Sequence, residues 1–301
     1  MLEVGKKSCK LFIGLPKEDF KFERRIGLTP DAVKLLVSHG HRIRVETGAG
    51  QGAFYSDRDY SEAGAEIAYS AKEVYEADVI FKIASPTMAE LEYLRPNQTL
   101  LSAMQINAHH RSYFKELLSK KISAIAFDYL QDESGIFPVV RSMGEIAGST
   151  SILIAAELLS NAKGGKGLLM GGVSGVPSSE VLILGAGNAG EFAARAALGL
   201  GASVKVFDDS LYRLRRLQND IHTRLYTCVL QPNILEKHLR RADVVIGAMR
   251  PGLRTPCVVT EEMVKKMKSG SVIVDVSIDR GGCFETSELR THDNPVFTKH
   301  D

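Results

Sequence analysis

VLILGAGNAG, residues 181–190, is the stretch that decides the fold of this chain. Its first four residues are typical of a buried parallel strand, the Gly-x-Gly-x-x-Gly pattern predicts a tight turn, and the alanine-rich segment 192–200 predicts the helix that follows. Without Cβ atoms, Gly185 can make the turn, Gly187 can let a pyrophosphate approach the backbone, and Gly190 can let the helix lie close to the strand. The stretch therefore predicts a helix N-terminus that faces a diphosphate.

A second apolar strand, 203–207, ends at Asp208, 23 residues after Gly185. An acidic residue at this spacing is placed to accept hydrogen bonds from an adenosine ribose, and its charge would repel a 2′-phosphate. The pattern therefore predicts a dinucleotide-binding domain that prefers NAD to NADP. A glycine-rich structural turn in an α/β domain is the alternative, and it gives no reason for the acid at position 208.

Composition disfavours several other classes of protein. The 301 residues are 44% hydrophobic and 25% charged, and their net charge of +2 gives no electrostatic case for binding nucleic acid or an anionic membrane. The longest apolar runs, such as 151–159, are about half of the roughly 20 residues that a bilayer span requires, and residues 1–7 lack a signal-peptide core. The four cysteines lack Cys-x-x-Cys spacing, so we expect no metal site, no disulfide framework and a cytoplasmic location.

Short apolar strands alternate with amphipathic helical stretches along the whole chain. Further strands are predicted at 11–15, 42–46, 79–83, 99–104, 122–127, 223–229, 244–247 and 271–276, and further helices at 30–39, 88–94, 111–119, 211–219, 233–240 and 261–267. Because this alternation is typical of parallel sheets with helices on both faces, we predict an α/β protein with two doubly wound, Rossmann-like domains. A long helical pattern, about 144–161, would join a substrate-side domain, 1–143, to the Rossmann domain, 144–301.

Two segments of the Rossmann domain follow predicted strands directly. These are Met249-Arg250 and Ser277-Ile278-Asp279. In an open α/β sheet, ligands bind at the carboxyl ends of the strands. We therefore expect both segments to lie where a nicotinamide or a substrate would bind.

Several longer motifs resemble the alanine dehydrogenases, a family related to the NAD-binding subunit of proton-translocating transhydrogenase. The most specific are ERRIGLTP (23–30), TGAG (47–50), LMGGV (169–173), IHTR (221–224) and VDVSIDRGGCFE (274–285). The resemblance covers essentially the whole chain. It implies NAD-dependent, reversible oxidative deamination of L-alanine to pyruvate and ammonia, usually by a homohexamer. The family continues beyond the position of Asp301 into a nicotinamide-contacting loop and helices, so we expect this sequence to be an incomplete chain that lacks the C-terminal tail.

The resemblance also implies roles for individual residues. Arg25 would bind the substrate carboxylate through a bidentate guanidinium fork, and Asp279 would lie near the nicotinamide and orient ammonia or water. The residues that the resemblance and the glycine pattern assign to cofactor binding are Gly185, Gly187, Asn188, Ala189, Gly190, Asp208, Arg213, Met249, Val276, Ser277, Ile278 and Asp279. A surface role beside Arg24 and Lys21 is the alternative for Arg25, and an ion pair with Arg280 is the alternative for Asp279.

Two positions depart from the family pattern on the substrate side. Ala84 stands where the family has a lysine that would bind the keto acid, and Gln105 stands where it has a catalytic histidine. An amide cannot exchange a proton near neutral pH as an imidazole does, a difference typically worth about 10²–10⁴ in rate. Lys82 lies on the same side of its strand as Ala84 and could reach inward, although a structural role is the alternative. His109 and His110 are candidates for the base, with a solvated surface pair as the alternative.

These matches and departures define the functional prediction. We expect an NAD-dependent dehydrogenase with weak or no activity on L-alanine, or with a different 2-amino or 2-oxo acid as substrate. Asp279 and Gln105 are the predicted catalytic residues, and Arg25 and Lys82 are the predicted substrate-binding residues. A further departure is Gly144, which replaces a serine near the pyrophosphate. The alternatives are a catalytically silent NAD(H)-binding protein that senses the redox ratio for a partner, and a soluble transhydrogenase subunit.

Overall fold

A computed structural model of the protein describes residues 10–106, 109–250, 252 and 254–300. The chain divides into two compact units, Met1–Val139 and Val140–Asp301. Each unit is built on one parallel sheet with helices between successive strands. Both units are therefore doubly wound, Rossmann-like α/β domains, which confirms the predicted fold class.

The first unit contains a six-stranded sheet. Its strands are Phe12–Leu15 (β1), Arg42–Glu46 (β2), Glu66–Ala68 (β3), Val79–Ala84 (β4), Thr99–Ala103 (β5) and Ser123–Ala126 (β6). Its helices are Pro30–Ser38 (α1), Asp57–Glu62 (α2), Ala71–Val74 (α3), Met88–Leu91 (α4) and Arg111–Ser119 (α5). In the order β3-β2-β1-β4-β5-β6, the direction of strand addition changes between β1 and β4. The loops after these two strands therefore border the crevice where such sheets bind ligands.

Local sequence signals start two helices of this unit. The Thr29 hydroxyl accepts a hydrogen bond from Ala32 N at 3.3 Å, and Pro30 occupies the first helical position of α1. Helix α4 begins with a capping box, in which the side chain of Thr87 accepts from Glu90 N at 3.3 Å and Glu90 Oε2 accepts from Thr87 N at 2.7 Å. The capping box fixes the position of the Glu90 carboxylate as well as the start of the helix.

A 22-residue helix, Pro138–Leu159 (α6), leads into the second unit. The strands of this unit are Glu180–Leu184 (β7), Ser203–Asp208 (β8), Tyr226–Val229 (β9), Val244–Gly247 (β10) and Val272–Asp275 (β11). Its helices are Asn188–Gly199 (α7), Leu211–Ile221 (α8), Pro232–Leu239 (α9) and Glu261–Val264 (α10). The order β11-β10-β7-β8-β9 changes direction between β7 and β10. The glycine turn that follows β7 therefore lies at the switch point of this sheet.

Several predicted boundaries were wrong by a few residues. The connecting helix begins at Pro138 rather than at 144, because proline is favoured at the first position of a helix. Helix α7 begins at Asn188 rather than at 192, so the glycine pattern itself forms its first turn. Strand β9 begins at Tyr226 rather than at 223. Strand β3 was not predicted, because its three residues are too few to display an alternating pattern.

The described part of the chain contains no helix long and apolar enough to cross a bilayer. In the same part, no group of three or more His, Cys, Asp or Glu residues is arranged to hold a metal ion. Cys228, Cys257 and Cys283 are free thiols.

Asp243 holds together the amino-terminal edge of the second sheet. Its carboxylate is almost fully buried and accepts hydrogen bonds from Glu180 N at 2.9 Å, Lys268 Nζ at 2.9 Å and Lys166 Nζ at 3.2 Å. Burial acts to raise the pKa of Asp243, but the bonds from Glu180 N and from the two lysines outweigh burial and hold the pKa below its usual value. The ionised carboxylate therefore stabilises the folded state.

We expect Asp243→Ala to lower the free energy of unfolding at neutral pH by about 2–4 kcal/mol, because the Glu180 N–H and two ammonium groups lose their acceptor. Since the folded-state pKa lies below the unfolded value, this stabilisation is present above the unfolded pKa and is lost as the pH falls through the folded pKa. Urea unfolding at neutral pH and at about pH 3 measures both effects. The difference in the free energy of unfolding between Asp243→Ala and the parent should become smaller at the lower pH. The control Asp293→Ala, at an exposed position, should have the parent's free energy of unfolding at both pH values. A difference that does not change with pH would contradict this account.

Candidate functional site

The three glycines of the turn after β7 meet different surroundings. Gly185 has a φ of +111°, and a Cβ there would lie 2.5 Å from the Ala248 carbonyl oxygen. A Cβ at Gly190 would lie 1.8 Å from the Gly185 carbonyl oxygen. At Gly187, by contrast, a Cβ would have no described atom within 4 Å beyond its chain neighbours. Backbone contacts thus require glycine at 185 and 190, whereas Gly187 borders open space.

The N-terminus of α7 is open to an anion. Gly187 is its N-cap residue, and no described side chain caps the helix. Asn188, Ala189 and Gly190 form the first turn, whose backbone N–H groups have no acceptor within the helix. Such N–H groups and the helix dipole attract negative charge, and the space at Gly187 is a cradle that a Cβ would fill. A Cβ at Gly144 of α6 would lie 3.7 Å from Ala189 N, so α6 borders the same helix end. The region fits a pyrophosphate.

Asp208 ends β8 and is 1% exposed. Its carboxylate accepts hydrogen bonds from Ala186 N at 2.6 Å and from Ser210 N at 2.7 Å, and it lies 3.9 Å from Arg213 Nη1. Burial raises the pKa of Asp208, and the two backbone bonds oppose that shift. A hydrogen bond with the Asp209 side chain also acts to raise the pKa of Asp208. The sequence predicted a ribose contact here, and the structure adds that the same carboxylate holds the glycine turn.

The carboxylate of Asp275, at the end of β11, fixes the loop that follows. It accepts hydrogen bonds from Ser277 N at 3.1 Å, Cys283 N at 2.9 Å and Ser287 Oγ at 2.6 Å. Burial raises the pKa of Asp275, and these donors act in the opposite direction. Asp275 was not among the predicted site residues, although its position at a strand end is a signal that could have identified it.

Asp279 is exposed on a short 3-10 turn, Ile278–Arg280. The neighbouring Arg280 donates from Nη1 to the Gly252 carbonyl oxygen at 2.5 Å. In the described structure, Asp279 and Arg280 form no ion pair with each other, which was the alternative for Asp279. Gly281 ends the turn with a φ of +103°, a conformation that glycine adopts without strain.

Main-chain contacts join the ends of β10 and β11 near the glycine turn. Val276 N and Ser277 Oγ both donate to the Gly247 carbonyl oxygen, at 2.9 and 3.2 Å. Met249 is buried in the core, and its nitrogen would lie 3.0 Å from a Cβ at Gly185. The second unit therefore brings the predicted cofactor residues of three strand ends together, with Ile278 and Asp279 in the loop that follows.

In the first unit, Arg25 lies on the loop that follows β1. Its Nε and Nη2 donate to Glu23 Oε1 at 2.8 Å and Glu23 Oε2 at 2.6 Å, and the Arg25 side chain is 57% exposed. The bond to Glu23 raises the pKa of Arg25. Burial acts to raise the pKa of Glu23, but the hydrogen bonds from Arg25 outweigh burial and hold this pKa below its usual value. One fork of the guanidinium is therefore engaged by a carboxylate of its own loop.

Lys82 is buried on β4, where its amine bonds to Glu90 Oε1 and lies 3.7 Å from Glu18 Oε2. Neither carboxylate was predicted from the sequence. Glu90 belongs to a Thr-x-x-Glu capping box that the sequence displays, whereas Glu18 reaches Ile83 N across 65 residues of chain and has no local signal. Contact between Lys82 and a substrate stays a prediction. The pairing of the Lys82 amine with Glu90 and Glu18 does not support that contact.

The two departures from the family pattern lie at neighbouring strand ends. Strands β4 and β5 pair Ala84 with Ala103, and Gln105 follows two residues later. Gln105 is exposed and has a φ of +40°. Met104, just before it, donates from its backbone N–H to Asp128 Oδ1 at 3.2 Å. The structure therefore brings Ala84 and Gln105 to the same edge of the first sheet.

The two candidate replacement bases serve local contacts. The ring of His109 stacks on Tyr113 with 4.0 Å between centroids, and burial lowers the pKa of His109. His110 caps α5, where its Nδ1 accepts from Ser112 N at 3.4 Å. Residues 107 and 108, which lead from Gln105 to these histidines, lie outside the described residues.

The strand orders and the glycine turn place this chain in the doubly wound Rossmann class. Residues 14–147 match the family model "Alanine dehydrogenase/PNT, N-terminal domain", and residues 151–301 match "Alanine dehydrogenase/PNT, C-terminal domain". The chain belongs to the alanine dehydrogenase/PNT family, as its motifs predicted.

Individual relatives agree with this assignment. Alanine dehydrogenase from Staphylococcus epidermidis and alanine dehydrogenase 2 from Staphylococcus aureus are each 41% identical over 290 residues, which cover 96% of this chain and 78% of theirs. A solved L-alanine dehydrogenase matches with a TM-score of 0.91 at 37% identity, over 96% of this chain and 80% of that one. A transhydrogenase from Sinorhizobium meliloti matches with a TM-score of 0.81 at 27% identity, over 92% and 81%.

Proposed function

We propose that this protein is an NAD-dependent dehydrogenase of the alanine dehydrogenase type, which interconverts a 2-amino acid and its 2-oxo acid. The observation that carries the proposal is the uncapped N-terminus of α7 beside Gly187, with the Asp208 carboxylate bonded to the turn. Membership of the family supports the same function.

The second unit would hold the cofactor, and bound NAD would supply the acceptor for a hydride. Backbone N–H groups of Asn188, Ala189 and Gly190 would bind the pyrophosphate. Asp208 would accept from the ribose, and its negative charge disfavours the 2′-phosphate of NADP. Met249 and the segment Val276–Asp279 would border the nicotinamide half, so the protein contributes binding and orientation.

The first unit would bind the substrate. Arg25 would hold the carboxylate, and in the second unit Asp279 would orient ammonia or water. Deamination requires removal of protons from the amine and from the attacking water, which the Gln105 amide cannot perform. With Ala84 adding no charge, we propose that turnover of L-alanine is weak or absent and that the substrate is another 2-amino or 2-oxo acid.

Two experiments on one sample test the proposal. NADH and NADPH binding is titrated by fluorescence, and NADH formation at alkaline pH is measured with L-alanine and a panel of 2-amino acids. We expect NADH to bind more tightly than NADPH, and one panel member to be oxidised faster than L-alanine. Turnover of L-alanine at a rate typical of the family would overturn the proposed change of substrate, and absence of NADH binding would overturn the function as a whole.

A catalytically silent NAD(H)-binding protein is the second candidate. The observation that favours it is that Ala84 and Gln105 lie at neighbouring strand ends. Compared with the lysine and histidine of the family pattern, these two residues leave this edge of the sheet without a cation and without a proton carrier at these positions. Tight NADH binding without oxidation of any panel member would select this candidate.

Assembly and location are further parts of the proposal. We propose a homo-oligomer, a hexamer by family resemblance, which sedimentation velocity would test. The free thiols of Cys228, Cys257 and Cys283 favour a reducing compartment, so we propose the cytoplasm.

A further inference from the structure

Three charged side chains form a cluster at the carboxyl end of the first sheet, in which Glu18 and Lys82 are buried and Glu90 is half-buried. The side chains of Glu18, Lys82 and Glu90 are 3%, 4% and 21% exposed. The Lys82 amine pairs with both carboxylates. Because a buried ammonium is costly unless it is paired and hydrogen-bonded, Lys82 depends on Glu18 and Glu90 for its position.

Each carboxylate of the cluster also binds a backbone N–H group. Glu18 Oε1 accepts from Ile83 N at 2.6 Å, and Glu90 Oε2 accepts from Thr87 N at 2.7 Å. Glu18 belongs to the loop after β1, whereas Glu90 belongs to the first turn of α4. Lys82 thus joins two segments that leave the sheet at its switch point.

The loop that carries Arg25 is anchored to β4 on both sides of that residue. On one side, Glu18 reaches Lys82 and Ile83. On the other, a Cβ at Gly27 would lie 3.1 Å from the ring of Phe81, so the loop packs on the strand without room for a side chain. Arg25 lies between the two anchors, and its guanidinium bonds to Glu23 of the same loop.

We infer that Lys82 is a positioning residue, which fixes the Arg25 loop through Glu18 while its ammonium remains bonded to the cluster. This inference rests on the proposed role of Arg25 in substrate binding, and it differs from the sequence prediction that Lys82 itself binds substrate. The pairing of the Lys82 amine with the carboxylates of Glu18 and Glu90 is the feature that separates the two roles.

Hydrogen exchange in the full chain provides a readout that does not depend on activity. In Lys82→Met, exchange at Ile83 N–H and in residues 16–29 should become about tenfold faster, because Glu18 loses its cation. The matched control is Lys120→Met, whose amine donates to the carbonyl oxygens of Leu91 at 2.6 Å and Glu92 at 3.2 Å. This control should leave exchange in residues 16–29 at the parent value.

Pyruvate binding in the presence of NADH provides the second readout. Its dissociation constant should rise about tenfold in Lys82→Met and stay unchanged in Lys120→Met, because a displaced Arg25 binds the carboxylate poorly. The double variant Lys82→Met, Glu90→Gln keeps the formal charge of the cluster and protects against a folding failure caused by repulsion between the carboxylates of Glu18 and Glu90. It should show the same faster exchange in residues 16–29.

The outcomes separate the possible roles. Weaker pyruvate binding with unchanged exchange in residues 16–29 would show that Lys82 contacts substrate and would overturn the inference. Faster exchange throughout the first unit, matched by Lys120→Met, would also overturn it, because it indicates a general loss of stability. A parent chain that binds NADH but no pyruvate would agree with the proposed change of substrate, and exchange in residues 16–29 would then decide the role of Lys82. A parent chain that binds neither would refute the proposed function.

Discussion

The double variant Ala84→Lys, Gln105→His should deaminate L-alanine about 10²–10⁴ times faster than the parent chain. The imidazole would accept and return a proton near neutral pH, which the amide cannot do. The lysine would add a cation at the neighbouring strand end. The effect is large because both departures lie at the edge of the sheet where ligands bind in this fold.

The backbone at both positions suits these substitutions. Gln105 has a φ of +40°, and histidine is one of the residues enriched in the left-handed region. Ala84 is half-buried at the end of β4, so a long side chain can extend from the strand end. We therefore expect the double variant to fold as the parent does.

The measurement is kcat and KM for L-alanine across pH, with each single variant alongside the double one. Gln105→His should introduce a pH dependence with an apparent pKa near the imidazole value of about 6.5, and Ala84→Lys should act mainly on KM. A parent chain as active as the double variant would show that another group already moves the proton. An inactive double variant that still binds NADH would show that the site has diverged at more than these two residues.

Alanine substitutions in the glycine turn should separate cofactor binding from folding. Gly187→Ala should reduce NADH affinity by about 10²-fold or more, because its methyl group would occupy the space that the pyrophosphate needs. Its free energy of unfolding should stay within about 0.5 kcal/mol of the parent, since the methyl meets no described atom within 4 Å. Gly190→Ala should lower both the NADH affinity and the free energy of unfolding, the latter by about 3 kcal/mol. The reason is that its Cβ would lie 1.8 Å from the Gly185 carbonyl oxygen.

Gly199→Ala is the matched control, at the other end of α7. A Cβ there also has no described atom within 4 Å, and alanine favours the helix by about 0.5–1 kcal/mol. NADH titration and urea unfolding should therefore leave this variant at or slightly above the parent. Equal NADH affinities for Gly187→Ala and Gly199→Ala would mean that the N-terminus of α7 does not bind the diphosphate.

Most of the fold could be predicted because its signals are local. The glycine turn, the apolar strand before it and Asp208 lie within one short βαβ stretch, so spacing alone relates them. Boundaries were less predictable where two signals compete, as at Pro138, where a helix start precedes the alanine-rich pattern. Strand β3 could not be predicted because it is defined by pairing with β2, which no periodicity in three residues reveals.

The residues of the candidate site also differ in whether a local sequence signal reveals them. The anion-binding end of α7 follows from a motif, whereas the surroundings of Lys82 depend on Glu18, 64 residues earlier in the chain. Such a pair forms only when β1 and β4 come together in the sheet, so the sequence displays an isolated lysine instead of a cluster. The Glu23–Arg25 fork is local by contrast, but the sequence offered other charged neighbours and no reason to select Glu23.

Asp208 combines a structural role with a proposed role in cofactor selection, and this combination constrains how cofactor preference can evolve in this protein. The carboxylate that would discriminate against a 2′-phosphate also accepts from Ala186 N inside the glycine turn. Exchange of Asp208 for a small neutral residue would therefore release the turn at the same time as it admits NADP. A relative that changes its cofactor must therefore supply another acceptor for Ala186 N or build the contact to the 2′-phosphate elsewhere. Cofactor selectivity and the conformation of the turn depend on the same side chain.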